Sequence, residues 1–327
     1  MTVMNTRKKK TSAQGCPEPA AVILLAVSLC ALFFLIRAPS VTAARMSDAL
    51  SLCASTVIPS LFPFMVVSEL LLSGDSASLL APILHRPARR IFGVCGESAV
   101  AIILGLLCGF PIGAKGGAAL YKSGRIDGRE LERILTLSCI PSAPFLISTV
   151  GVSTFGSVGV GIRLLAACLI SSLTVGMIIR RVKFKAPKKA LLTPRVREPE
   201  TNIAKLFTSA VSSSALSMLY ICAFLTFFST LVGVTESALE SLAPSGMVSA
   251  VILGFFELTG GICGASELPD AGQYLAAAIA GWSGLSVHFQ IMSVCQGCNI
   301  SFKPYFLSKA LSTLLCPLLM LLFDLIL

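Results

Sequence analysis

The sequence predicts an all-α polytopic membrane protein with inverted-topology repeats, re-entrant hairpins and broken transmembrane helices. Its composition is the first reason: 55% of residues are hydrophobic, 13% are charged and the mean hydropathy is +0.86. Soluble domains contain about 45 to 50% apolar and about 25% charged residues. The second reason is that glycine- and proline-rich interruptions inside apolar segments recur in both halves, offset by roughly 145 residues.

The formal net charge of +10 does not indicate a nucleic-acid partner. The basic residues gather between apolar runs, and they are neither interleaved with aromatic residues nor placed on amphipathic helices. Such spacing is typical of topology signals at a lipid bilayer. The bilayer is therefore the partner that the charge pattern predicts, and nucleic acid is excluded.

The twelve cysteines do not form the pattern of a disulfide scaffold. Most lie singly inside apolar runs, where a thiol behaves as a small hydrophobic group. Cys295 and Cys298 are the one close pair, and a zinc site needs two further ligands that the sequence does not offer. We predict no metal site and no cofactor, with a metal or redox role for this pair as the weaker alternative.

The first apolar segment, residues 20 to 36, follows the basic run 7 to 10 and ends at Arg37. A basic flank before an apolar run also begins a signal peptide, and residues 40 to 44 resemble a cleavage site. The run is about as long as the shortest membrane spans, about 17 residues. We predict an uncleaved anchor, so residues 1–45 form a cytoplasmic basic tail and a membrane anchor.

Six further segments are predicted to span the membrane, which makes seven spans in all, and two glycine-rich stretches are predicted to be re-entrant hairpins. Basic loops should be cytoplasmic, and the strongest markers are Arg180 to Arg197 and Arg86 to Arg90. A full crossing by the first glycine-rich stretch would put the 180 to 197 loop outside, whereas a hairpin keeps it inside. The same topology places Lys303 and Lys309 near the inner face. The spans are 49 to 73, 134 to 151, 155 to 179, 206 to 232, 273 to 295 and 304 to 327; the hairpins are 98 to 121 and 247 to 266.

The order of elements in each half is span, hairpin, broken span, span. We therefore predict a first repeat over residues 46–180, a basic cytoplasmic linker over 181–205 and a second, inverted repeat over 206–327. Inverted repeats place a binding site near the bilayer midplane, where the two units meet.

The interruptions carry the candidate substrate-binding residues. Proline removes a helix donor and glycine allows close approach and unusual dihedrals, so each break exposes amide and carbonyl ends. Amides at a half-helix amino end favour an anion, and carbonyls at a carboxyl end favour a cation. Neighbouring helices and serines are the alternative partners. The candidates without charge are Gly109, Pro111, Gly113, Pro141, Ser142, Thr259, Gly260, Ser286 and Gln290.

Three ionisable residues accompany the breaks, and a charge inside the bilayer costs about 2.5 to 3.5 kcal/mol on insertion scales. We predict that Lys115 complements a carboxylate or reaches the cytoplasmic face, that Glu257 contacts a proton, cation or amine, and that His288 carries a proton or is a satisfied hydrogen-bonding residue. Arg163 and Asp324 are expected to pair helices or to anchor at the interface.

Two further features of the sequence are acidic residues at the end of a span and a regular spacing of glycines. Glu69 and Asp75 flank the end of a span and are expected to face water. The glycines 105, 109 and 113 recur at every fourth residue, a spacing that indicates close helix packing.

Several segments resemble the family of the sporulation integral membrane protein YlbJ, also called SpoVV, in the nucleoside-recognition or Gate domain group. The resemblance covers about residues 45 to 327 and is carried by 109 to 115, 151 to 156, 284 to 290 and 303 to 306. It implies a polytopic protein of spore-forming bacteria that is linked to spore maturation and moves dipicolinate, a small aromatic dicarboxylate, across a membrane surrounding the forespore.

Carried onto this chain, the resemblance implies three binding motifs. Gly109, Pro111, Gly113 and Lys115 match the first hairpin motif; Glu257, Thr259 and Gly260 match the second; Ser286, His288 and Gln290 match the last broken span. The first broken span departs from the family pattern, because 140 to 144 replaces a stretch of the Asn-Asn-x-Gly-Pro type. A more distant similarity is to concentrative nucleoside transporters.

The sequence thus favours a carrier of a small organic anion in the bacterial cell membrane or the forespore membrane, with a proton or sodium ion as coupling partner. A nucleoside-type carrier and a non-transporting scaffold or receptor for spore assembly, docking through the 180 to 197 loop, are the alternatives. An enzyme is disfavoured because the chain offers no zinc-ligand set, no paired carboxylates on one helix, and only His85 and His288 as histidine bases.

Overall fold

The computed structural model describes residues 19–72, 76–182, 202–238, 246–269 and 271–326, and all regular structure in these ranges is helical. The basic tail, Asp75 and most of the predicted basic linker lie outside the described residues. The α-helices are α1 (Pro19–Arg37), α2 (Pro39–Leu52), α3 (Ile58–Leu72), α4 (Ser76–Ile91), α5 (Gly96–Cys108), α6 (Phe110–Lys122), α7 (Gly128–Ser138), α8 (Val158–Ile179), α9 (Ile203–Ala238), α10 (Gly246–Phe256), α11 (Leu258–Ser266), α12 (Gly272–Trp282), α13 (Gly284–Val294) and α14 (Lys303–Ile326). A π-helical turn, Cys53–Val57, joins α2 to α3, and a π helix, Phe145–Thr154, follows α7.

Five helical segments of the described ranges are long and apolar enough to cross a membrane. They coincide with five of the seven predicted spans and are Pro39–Leu72, Val158–Ile179, Ile203–Val234, Gly272–Val294 and Lys303–Ile326. The other two predicted spans correspond to shorter apolar helices, Ala21–Arg37 and Phe145–Thr154. Helix length therefore supports five spans directly, and the total of seven stays a prediction.

Large apolar side chains cover the outward faces of these helices. Leu24, Leu219 and Leu325 are each more than 60% exposed. A water-soluble surface does not carry so much contiguous apolar area, whereas the hydrocarbon core of a bilayer solvates it. The all-α polytopic membrane fold predicted from composition is confirmed.

Helices α5 and α6 form the first predicted hairpin. The chain turns at Gly109, whose φ of +96° suits glycine. A Cβ atom added to Gly105 would lie 2.7 Å from the Gly113 Cα atom, so the two backbones are nearly in contact. The glycines spaced by four residues are therefore the packing surface of the hairpin, as predicted.

Helices α10 and α11 form the second predicted hairpin, which turns at Glu257. A Cβ atom added to Gly261 would lie 2.5 Å from the Gly254 nitrogen. Both hairpins thus close through glycine pairs, and in both the turn is a single residue between two short helices.

Each hairpin is followed by a broken span. In the first repeat α7 ends at Ser138 and the π helix begins at Phe145. In the second repeat α12 and α13 are separated by Ser283, which has a φ of +77° and precedes Gly284 at +80°. The breaks lie where the sequence predicted them.

Contacts at one end of the bundle join the open end of the first hairpin to the end of α8. The Arg180 guanidinium donates to the carbonyl of Arg90, and Arg125 forms an ion pair with Glu97. The start of α14 lies at the same end, because the Ser301 amide donates to Glu132.

The open end of the second hairpin lies at the opposite end. A Cβ atom on Gly272 would touch the Phe155 ring at 3.6 Å, and Arg163 near the start of α8 pairs with Asp324 near the end of α14. The two hairpins therefore enter the bundle from opposite ends, which is the inverted arrangement predicted from the loop charges.

Two local expectations are corrected. The segment before the first hairpin, expected only as a basic loop, contains the amphipathic helix α4, and α4 meets α5 at a bend of 86°. Glu69 does not simply face water: it lies 3.1 Å from the Lys115 ammonium, because helix α6 packs beside α3.

Candidate functional site

The tip of each hairpin lies against the break of the span that follows it. In the first repeat the Phe110 amide donates to the Ile140 carbonyl at 2.9 Å, and a Cβ atom on Gly109 would lie 2.9 Å from the Ser142 Cβ. In the second repeat a Cβ atom on Gly284 would lie 2.9 Å from the Leu258 nitrogen. In both repeats, therefore, the tip of the hairpin contacts the break of the following span.

One cavity of about 40 Å³ lies between the two contacts, with α3 and α9 at its side. Its polar wall combines both repeats: Ser142, Glu257, Thr259, Ser286 and Gln290. Its apolar wall includes Met65, Phe110, Phe145 and Leu225. Candidate residues from both predicted repeats therefore line one cavity, and its role as a binding site stays a prediction.

Four helices begin at this cavity. Helix α6 begins at Phe110, the π helix at Phe145, α11 at Leu258 and α13 at Gly284, and residues from the first turn of each line the wall. Each helix amino end carries about half a positive charge. The four amino ends therefore bring partial positive charge to the cavity, and the Glu257 carboxylate in the same wall offsets the charge at α11.

Glu257 caps helix α11. Its Oε1 accepts the Thr259 amide at 2.9 Å and its Oε2 accepts the Gly260 amide at 2.6 Å. The side chain is only 3% exposed and forms part of the cavity wall. We expected a contact with a proton, cation or amine, and within the described residues the carboxylate is held instead by backbone amides.

Gln290 is the polar wall residue with free hydrogen-bonding capacity. It is 8% exposed, and its Oε1 atom has no partner among the described residues. A buried amide oxygen without a partner costs free energy, so a solute or water in the cavity would stabilise it.

Lys115 does not line the cavity. Its ammonium lies 3.1 Å from the Glu69 carboxylate and donates to the hydroxyl groups of Ser213 at 2.6 Å and Ser217 at 3.2 Å. It therefore joins the first hairpin to α3 and α9, at a distance from the hairpin tip.

His288 points away from the cavity wall that its neighbours Val287 and Gln290 form. Its Nδ1 atom is hydrogen-bonded to the Tyr305 hydroxyl at 2.7 Å, and its ring meets the Trp282 ring edge to face at 4.5 Å. Nε2 is buried without a partner among the described residues. Of the two alternatives predicted for His288, a satisfied hydrogen-bonding residue agrees with the bond at Nδ1.

Three other candidates support the site without forming its wall. Gly113 lets α6 approach α5 and Ser138, Gly260 donates its amide to Glu257, and Pro141 lies in the break after α7. The structure thus brings Gly109, Pro111, Ser142, Glu257, Thr259, Ser286 and Gln290 to one cavity.

Sequence reasoning missed the central position of Lys309. The expectation that it lies at the inner face is wrong for its ammonium group, because the residue is 4% exposed and Nζ donates to the Cys139 carbonyl and to the Ser283 hydroxyl. The available signal was a lysine almost two turns inside an apolar helix.

Arg163 and Asp324 form an ion pair that joins α8 to α14, so helix pairing is the correct one of the two roles expected for them. Asp324 also accepts hydrogen bonds from Gln273 at 2.8 Å and from the Tyr274 hydroxyl at 2.6 Å. In the described ranges no three His, Cys, Asp or Glu side chains are grouped as metal ligands, and Cys295 and Cys298 are free thiols.

Comparison with known proteins identifies one relative by sequence. The sporulation integral membrane protein YlbJ of Bacillus subtilis (strain 168) is 28% identical over 295 residues, which cover 80% of this chain and 72% of that protein. The chain is therefore similar to YlbJ over most of its length. The resemblance read from the broken segments is thereby confirmed as a similarity to YlbJ, and the long apolar helices make the chain a polytopic membrane protein. No protein-family model and no solved structure matches the chain.

Proposed function

We propose that this protein, which is similar to YlbJ, carries a small organic anion of the dipicolinate type across a membrane during spore maturation. The observation that supports the proposal most strongly is the convergence of four helix amino ends on one cavity between two inverted repeats. Transporters with inverted repeats direct the amino ends of half-helices at the anionic groups of their substrates.

The two repeats differ at the position that would meet a carboxylate. Glu257 already places a carboxylate at the amino end of α11, whereas the corresponding residue before α6 is Gly109, which has no side chain. A helix amino end stabilises an anion by about 0.3 to 1 kcal/mol at a surface and up to about 2 kcal/mol when partly buried. The first repeat therefore leaves its positive end for the solute, and the side-chain NH₂ group of Gln290 is the donor that would bind a carboxylate.

The closed cavity must widen before a solute enters. Its volume of about 40 Å³ is enough for a few water molecules, since one needs about 10 to 15 Å³, and small-molecule sites occupy about 300 to 1,000 Å³. The hairpins are the elements suited to move, because each is a pair of helices packed on each other whose tip ends at the cavity.

A nucleoside-type carrier is the second candidate, and one observation favours it. Among the described residues, the cavity wall contains no lysine, arginine or histidine. Ser142, Thr259, Ser286 and Gln290 are its neutral hydrogen-bonding groups. A neutral aromatic solute with several hydroxyl groups fits such a wall without needing a side-chain cation.

Uptake by reconstituted vesicles tests the proposal. Labelled dipicolinate and labelled uridine are offered separately to vesicles that hold the wild-type chain, Gln290→Leu or Gln296→Leu. Gln296 is exposed in the loop after α13 and serves as the matched control. Losing one hydrogen bond to the anion should lower kcat/KM for dipicolinate about tenfold in Gln290→Leu, while Gln296→Leu transports at the wild-type rate.

Two results would count against an anion carrier, and a third would count against the cavity as its binding site. Uptake of uridine that dipicolinate does not inhibit would favour the nucleoside-type candidate. Absence of flux for either solute would favour a membrane scaffold. Equal loss in both glutamine variants would show that the cavity is not the binding site.

A further inference from the structure

Lys309 is a buried cation at the crossing of the two broken spans. It lies on α14 and is 4% exposed. Its ammonium group donates to the Cys139 carbonyl, which follows the end of α7, and to the Ser283 hydroxyl at 3.1 Å, which follows the end of α12. One ammonium group thus binds the breaks of both repeats.

The surroundings of the ammonium group are those of a cation site. Helices α7 and α12 both end here, and the carboxyl end of a helix carries about half a negative charge. The Tyr305 ring lies 6.0 Å from Nζ, within the range of a cation–π contact. None of the ion pairs within the described ranges includes Lys309, so backbone and hydroxyl oxygens take the place of a carboxylate.

Transporters built from inverted repeats use such half-helix carboxyl ends and unwound carbonyls to bind their coupling sodium ion or proton. We propose that Lys309 is a built-in cation that occupies the sodium site at this crossing, so that the protein moves its solute without coupling to sodium. The occupancy of the site stands on the geometry alone, while the consequence for transport rests on the proposed function.

The volume available at the crossing is sufficient for one cation only. The adjoining cavity has a volume of about 10 Å³, which is about one water molecule by the same measure. It is lined by Thr136, Ser172, Ser312 and the thiols of Cys168 and Cys316. A sodium ion beside Lys309 would be a second positive charge with no carboxylate, so only removal of the ammonium group frees the site.

Thermal unfolding of the purified protein tests the occupancy. The wild-type chain, Lys309→Ala and Lys303→Ala are melted in choline chloride, sodium chloride and propylammonium chloride of equal ionic strength. Propylammonium supplies the three carbons and the ammonium group that Lys309→Ala removes. Lys303 is exposed at the start of the same helix and is the matched control.

The Tm of Lys309→Ala should rise by about 2 °C or more in sodium or propylammonium relative to choline, since a bound cation stabilises the folded state. The wild-type chain and Lys303→Ala should melt at the same temperature in all three salts. Lys309→Gln, which keeps a donor but no charge, provides the measurement if Lys309→Ala does not fold. A rise in the Tm of the wild-type chain with sodium, or no salt response in either Lys309 variant, would overturn the proposal.

Transport separates this inference from the proposed function. Wild-type vesicles should take up solute equally with and without an inward sodium gradient, and a gradient that stimulates uptake at least twofold would overturn the sodium-independent mechanism. Vesicles without any flux would contradict the carrier function only, because the salt dependence of the Tm reports on Lys309 by itself.

Discussion

Glu257 and Lys309 are buried charges that obtain their partners from the ends of half-helices. Glu257 accepts two amides at the start of α11, and Lys309 donates to the Cys139 carbonyl after the end of α7. A continuous membrane helix has no free amides or carbonyls at this depth. The breaks therefore allow each charge to be buried with backbone partners.

Replacing Glu257 with glutamine tests the cap. An amide group can accept one of the two backbone donors, but its NH₂ group then faces the other N–H, so one buried donor is left unpaired. Glu257→Gln should lower the free energy of unfolding by about 1 to 3 kcal/mol, measured by denaturant titration in detergent. Glu267→Gln, at the exposed end of the same helix, should change it by about 0.5 kcal/mol or less. Equal stability of the two variants would contradict the capping role.

At the scale of elements, each hairpin is held closed by a pair of glycines. Gly105 faces Gly113 in the first, and Gly254 faces Gly261 in the second. Because these glycines have no Cβ atoms, the two helix backbones come into direct contact. Many dispersion contacts between backbone atoms then hold the helices together. This packing fixes the shape of each hairpin, so the geometry of its tip depends on glycines well away from the cavity.

An added methyl group tests this packing. The Cβ atom of Gly261→Ala would overlap with the Gly254 backbone, and overpacking costs about 1 to 3 kcal/mol. Gly159→Ala is the control, since its Cβ atom would meet only the Ser157 hydroxyl oxygen at 3.5 Å, and alanine is about 1 kcal/mol better than glycine in a helix. We expect the Tm to fall in Gly261→Ala and to stay or rise in Gly159→Ala. The reverse order would show that the hairpin tolerates separation of its helices.

At the scale of the whole molecule, basic residues mark one end. The end that contains the α4–α5 bend and the end of α8 carries Arg86, Arg89, Arg90, Arg125, Arg129, Arg133, Arg180 and Arg181. The opposite end contains the acidic Glu267 and the paired Arg163 and Asp324. By the positive-inside rule the basic end is predicted to be cytoplasmic.

Cysteine labelling tests this orientation. Glu267→Cys and Arg129→Cys, both at exposed positions, are made with Cys263→Ala, because Cys263 is an exposed thiol on the second hairpin. A membrane-impermeant maleimide should label Glu267→Cys in intact cells and should label Arg129→Cys only after permeabilisation. The opposite pattern would reverse the orientation, and the single variant Cys263→Ala measures the background.

The sequence by itself determined the membrane class, five of the spans, both hairpins and the positions of the breaks. These features are local: an apolar run, a proline or a glycine acts within one or two turns of its own helix. The order of the elements in the two halves was equally visible, so two similar units and a site between them could be predicted from the chain alone. The similarity to YlbJ was visible in the same broken segments.

Only the tertiary structure decided which charges meet the site. Lys115 lies beside Glu69 and Ser213, His288 lies against Tyr305, and Lys309 lies between two breaks that are far apart in the chain. A one-residue step turns a side chain by about 100° around a helix axis, so the face presented to a partner depends on how helices pack. Helix packing depends on many contacts between segments that are distant in the sequence. The local sequence pattern could therefore locate the breaks, but it could not identify the residues that contact them.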